Sequence, residues 1–138
     1  MEGHLTDLSR FIRETMRNYS KMINIKQIKQ EMENDLENWV IIFMNFVDDF
    51  RYYNDPAMIK EPFEFNNERF DALLASTIEY LCDEMGMDPP EWVGDVQPCI
   101  DPWFVSGMES LKAITIVESP VYFRRRKIFV LENFLVRV

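Results

Sequence analysis

The 138-residue sequence holds one histidine, His4, two cysteines, Cys82 and Cys99, and four glycines. One histidine near the N-terminus removes most acid–base designs, which use an imidazole tuned near neutrality. It also removes HExxH zinc sites and the paired Glu-x-x-His motifs of helical di-iron centres. No GxxxxGK[ST], GxGxxG or GxSxG stretch is present, so phosphate cradles and serine elbows are missing. Two thiols in a chain of this length make no disulfide framework. Neither cysteine has a histidine near it in sequence to act as base.

Long apolar runs are also missing. The longest, WVIIFMNFV, is nine residues from Trp39 to Val47, whereas a membrane span takes about 20. The opening MEGHLTDLSR is polar and shows no secretory signal. The expected setting is a reducing cytoplasm, with both thiols free and no membrane role. What remains for catalysis is carboxylates. Asp48–Asp49 and Asp83–Glu84 are adjacent pairs, and neighbours on a helix point about 100° apart, which suits a shared site poorly. A magnesium-dependent carboxylate enzyme is the one catalytic alternative. The expectation is a non-enzyme with no cofactor and no metal.

What the sequence has is an ample core. Apolar residues make up 47% of it and phenylalanine occurs 11 times, which argues against disorder. Apolar residues recur every third or fourth place at Leu5, Leu8, Ile12, Met16, Tyr19 and Ile23, with Thr6 as a cap. Arg10, Arg13, Arg17 and Lys21 take the other face. The rhythm continues at Ile25, Ile28, Met32, Leu36, Trp39, Phe43, Phe46 and Phe50, with breaks expected at Asn24 or Asn34–Asp35. Val40, Ile41, Ile42 and Val47 make this second segment apolar nearly all round, as a central helix or an interface would be. Residues 56–67 hold two prolines and read as a connector in which FEF alone could pair as a strand. Asn67 then caps a core helix that includes Phe70, Leu73, Leu74, Ile78, Leu81 and Met85, and Gly86 stops it.

Residues 87–102 carry four prolines and one glycine and form a long loop bracketed by Trp92 and Trp103. Both indoles are expected to anchor it on the core, ligand stacking being the alternative. Asp101–Pro102 reads as a helix start, and SGME as a capping box from Ser106 to Glu109. The helix behind it uses Met108, Leu111, Ile114 and Val117. Ser119–Pro120 launches another short helix, and Ile128, Leu131, Leu135 and Val138 suggest helical turns, with a strand permitted. The expected fold is a single all-α domain over 1–138, a compact helical bundle of five to seven helices. Its parts are long amphipathic helices in 1–55, a core helix at 67–86, the loop at 87–102 and short helices in 102–138.

Charge is uneven. Residues 1–30 carry six cations and three anions, residues 31–101 three and eighteen, and residues 102–138 six and three. Either the basic ends fold beside the acidic middle, or the middle faces a basic partner. Arg124, Arg125, Arg126 and Lys127 run consecutively. Four neighbours cover every side of a helix, so at least one cation must approach the core and find a carboxylate there. The alternative is a nucleic-acid or phosphate patch, which the formal net charge of −9 opposes. The candidate interaction residues are therefore Arg124, Arg125, Arg126, Lys127, Trp92 and Trp103, with a protein partner or a homodimer expected.

Three stretches, PEWV at Pro90–Val93, PWF at Pro102–Phe104 and SPVYFRRRKIFV at Ser119–Val130, carry a resemblance. They resemble the C-terminal part of a group of small bacterial proteins with Pro-x-Trp, Pro-Trp and an ending like P-x-x-F-R-R-R-N-I-F-I. Lys127 stands where the pattern has asparagine. The likeness covers Pro89 onward and leaves residues 1–85 outside it. It implies a partner of nucleotidyltransferase-like proteins in toxin–antitoxin-type modules, with no catalytic residues to carry over. On that likeness the Arg124–Lys127 run and the tryptophans are a fold signature.

Overall fold

A computed structural model describes residues 23–136. The basic helix expected over residues 5–21, with Thr6, His4 and its arginines, lies outside them, as does Val138. The described chain is mainly helical. It contains five α-helices: α1 (Ile25–Asn34), α2 (Trp39–Tyr53), α3 (Glu68–Met85), α4 (Lys112–Glu118) and α5 (Val121–Arg124).

Local sequence explains the first three. Asn24 caps α1 by accepting from Gln27 N, and Gln27 returns the bond to Asn24 N, closing a capping box. The chain turns at Asp35, the break expected there. Asn54 ends α2 in the left-handed region at φ 53°, a conformation asparagine tolerates. Asn67 accepts from Phe70 N to start α3, and Gly86 ends it at φ 70°, where a Cβ would be strained. No helix among the described residues is long and apolar enough to cross a membrane.

The central helix is α3, not α2. Every residue from Phe70 to Ile78 is buried, along with Leu81 and Cys82. Helix α2 buries Phe43, Phe46, Val47 and Phe50 but leaves Val40 and Ile41 exposed. The reason is coverage: α1 and α2 pack on each other, while α5 and the turn at Glu91–Asp95 close over α3. One hydrophobic cluster gathers these faces, from Ile25 through Phe43, Leu74 and Phe123 to Leu135.

The all-α expectation needs correcting in the C-terminal third. Asp101–Pro102 does not start a helix. Trp103–Phe104 is a strand, β1, parallel to β2 at Ile128–Phe129, with Trp103 opposite Ile128. Trp103 N donates to Lys127 O at 2.8 Å, and Cys99 N to Arg126 O at 3.0 Å. The strand is the outcome that the β-branched and aromatic ending permitted; turns, not a terminal helix, follow it. FEF at 63–65 forms no strand among the described residues; Phe63 is buried core. The SGME capping box does not form either. Gly107 at φ 68° interrupts it, so Ser106 Oγ accepts from Met108 N and a 3-10 turn at Glu109–Leu111 leads into α4.

One charged pair lies deep in the fold. Lys29 is buried on α1, 2.8 Å from Asp71 Oδ1 on α3, and also bonds Asn66 Oδ1 and Glu64 O. Its ammonium thus donates to two oxygens and lies in ion-pair contact with a carboxylate, as a buried charge must be compensated. Removing one partner of such a pair leaves an uncompensated charge. Lys29→Ala is expected to lower unfolding free energy by about 3 kcal/mol in urea at pH 7, and Lys29→Met with Asp71→Leu to recover most of that loss. A cost for Lys29→Ala below about 1 kcal/mol, the range of surface pairs, would contradict the burial described.

Candidate interaction surface

The arginine run is divided by the short helix that carries it. Arg124 is exposed. Arg125 is half exposed, and its Nη2 donates to Glu79 Oε2 at 2.7 Å. Arg126 is 6% exposed. Its Nε donates to Val96 O at 3.2 Å, Nη2 to Val93 O at 2.8 Å, and Nη1 to Ser76 Oγ and Glu79 Oε1. Lys127 adopts φ 61° and reaches Ile100 O through Nζ at 3.3 Å. One guanidinium therefore ties α3 to the proline-rich loop, and one carboxylate serves two arginines. The geometry leaves no four-cation patch.

The tryptophans are placed similarly. Trp92 Nε1 donates to Ile59 O at 3.0 Å, and its ring meets Phe63 edge-on with centroids 5.1 Å apart. Trp103 is buried against Trp39, with the Arg69 guanidinium 5.4 Å from its ring centre. Both indoles lie against core residues across the loop they bracket. Glu79, Ser76 and Lys29 were not singled out from sequence. Lys29 had a legible cue, since it stands four residues after Ile25 and three before Met32, on the buried stripe. Glu79 had none beyond the acidic excess of the middle segment.

The adjacent acid pairs are split. Glu84 makes a two-bond pair with Arg51 at 2.9 and 3.0 Å, while Asp83 hydrogen-bonds the Tyr122 hydroxyl and raises its pKa. Asp49 is buried and Asp48 is half-buried. Among the described residues no three of His, Cys, Asp and Glu are disposed to share a metal ion. Both thiols are buried. Burial, with Asp88 and Glu79 nearby, pushes Cys82 up to about 11. Burial and Glu68 raise Cys99 as well, against the opposing pull of Arg69. Neither is a ready nucleophile at neutral pH.

What the surface does offer is apolar. Helix α4 is turned the opposite way from its sequence expectation. Thr115 and Ser119 point inward, while Ile114, Ile116 and Val117 are 45%, 48% and 77% exposed. The inward polar groups are satisfied: Thr115 Oγ1 donates to Lys112 O, and Ser119 Oγ donates to Ile128 O and accepts from Val130 N. Ser119 thus clips β2 instead of capping α5. Met108 and Val121, on either side of α4 in the chain, are exposed as well, as are Leu36 in the turn before α2 and Val40 and Ile41 on α2. Exposed apolar side chains gathered on one short helix make it a candidate contact site. No protein-family model, characterised protein or solved structure matches this chain.

Arg126→Ala is expected to cost about 3 kcal/mol in chemical denaturation, by leaving Glu79 with only the half-exposed Arg125 and three acceptors unmet, against under about 0.5 for Arg124→Ala. Equal costs would refute the division of the run. Cys82 makes a pH prediction. The unfolded thiol ionises near 9 and the folded one near 11, so stability is fully present below pH 9 and falls above it. The difference between wild type and Cys82→Ala should shrink by about 1.4 kcal/mol per pH unit between those values; a flat difference would exclude the shift.

Proposed function

We propose that this protein is a non-catalytic interaction module, one helical domain of antitoxin-like or regulatory type, which binds a basic protein partner in the cytoplasm. The observation that carries the reading is the outward face of α4. A helix that buries threonine and serine while exposing isoleucine and valine is stable in water only at a cost, which a partner surface offsets. The net charge of −9 favours a basic partner over a second copy, since two copies repel at long range. Two cations of the Arg124–Lys127 run are occupied by Glu79, which leaves little for a nucleic-acid contact. The split acid pairs lend no support to a carboxylate–magnesium reaction. The C-terminal resemblance, through its toxin–antitoxin-type modules, agrees in kind.

The test is affinity capture from the native host, with wild type and the Ile114→Glu, Val117→Glu double variant compared by mass spectrometry. A basic polypeptide held by the wild type and lost from the variant, with an unchanged melting temperature, is the expected result. Capture of no protein, or of the same proteins by both, would refute the reading.

A further inference from the structure

A groove of about 340 Å³ opens between the N-terminus of α3 and the loop at 95–100, and it shares no residue with the α4 face. Phe65 and Ile100 form its lips, and both are exposed, Ile100 at 78%. Glu68, Asp71 and Asp95 contribute carboxylates, Gln97 an amide, and no cationic residue lines it. Asp71 is neutralised from behind by Lys29. Glu68 Oε1 accepts from Ile100 N, which fixes the lip to the helix. Among the described residues, none donates to the Asp95 carboxylate. The groove therefore joins apolar lips to the Asp95 charge, which forms no ion pair among the described residues, with the Lys127 ammonium held at the Ile100 carbonyl beside it.

These features select the occupant. No three carboxylates among the described residues are disposed to share a metal ion, and a bare metal ion would leave the apolar lips uncovered. An extended cation with an apolar stem meets both demands. A guanidinium is planar, spreads five donors over a fork and stacks on aromatic rings, whereas an ammonium is a compact, strongly hydrated charge. Phe65 supplies the exposed ring and Asp95 the acceptor. We infer that this groove is a docking site for an arginine side chain of a basic polypeptide, its stem against Phe65 and Ile100 and its guanidinium on Asp95. The site does not depend on the role proposed for α4.

The test uses the full chain and small probes. N-acetyl-arginine methylamide is titrated at low salt and followed in ¹H–¹⁵N correlation spectra, with the lysine and citrulline analogues alongside. Citrulline keeps the shape and loses the charge. Saturable shifts confined to amides of residues 65–71 and 95–100, absent with citrulline, are expected. Asp95→Asn should weaken binding about fivefold, the scale of one exposed charge pair, and Phe65→Ala should weaken arginine more than lysine. Both residues are exposed, and Ile100→Ser provides a third variant that leaves the carboxylates intact. Shifts spread over the acidic surface, equal binding of citrulline, or no effect of any variant would overturn the site. Equal binding of lysine would overturn the guanidinium assignment.

Discussion

Taking a guanidinium out of water costs several kcal/mol unless its donors find acceptors. Arg126 meets that condition with Glu79, Ser76 and two carbonyls of the loop. The loop at 87–102 is fastened to α3 and to β2 around this group. Its own carbonyl receives Cys99 N, and the next receives Trp103 N, which sets the register of β1 on β2. The proline-rich loop has few backbone bonds of its own, and Arg126 supplies the acceptors' partners that a strand or helix would otherwise provide. Such a clasp is weak as a source of net stability and strong as a specifier, because any other placement of the loop strands the charge.

The same device recurs around α3. Lys29 from α1 meets Asp71, Arg51 from α2 meets Glu84, and Arg125 and Arg126 beyond α5 meet Glu79. Each flanking segment thus brings a cation to a different carboxylate of the central helix. The acidity of the middle segment is partly internal wiring. Other acids, Asp95 and Glu31 among them, face solvent and contribute to the negative field of the molecule.

Much of the helical skeleton was legible because caps and periodicity act locally. Asn24, Asn67 and Gly86 marked the ends they form, and Phe43, Phe46, Phe50, Leu73 and Ile78 are core as their spacing indicated. Which helix is central was not legible, since α2 has the greasier sequence and α3 the more complete cover. The C-terminal third misled because two-residue strands carry no periodicity, and Gly107 overrode a well-formed capping box. The inversion of α4 goes with Ser119 bonding Ile128 and Val130 on and beside β2, a pairing between elements that spacing cannot encode. The surplus of apolar side chains on its outer face is the residue of that choice. For the arginine run, the sequence argument that one of four neighbours must turn inward was sufficient, but not which acid would receive it.

The inversion of α4 has a consequence for the handling of this protein. Its exposed face carries three branched residues, Ile114, Ile116 and Val117, in a helix of seven residues. Branched side chains lose rotamer freedom in a helix and fit an extended chain better. Short helices draw their stability from packing, and here the packed contact is chiefly Thr115. A brief opening of this turn would release a segment suited to cross-β stacking between chains. The surface that invites association is thus also the place where concentrated or warmed samples would begin to aggregate.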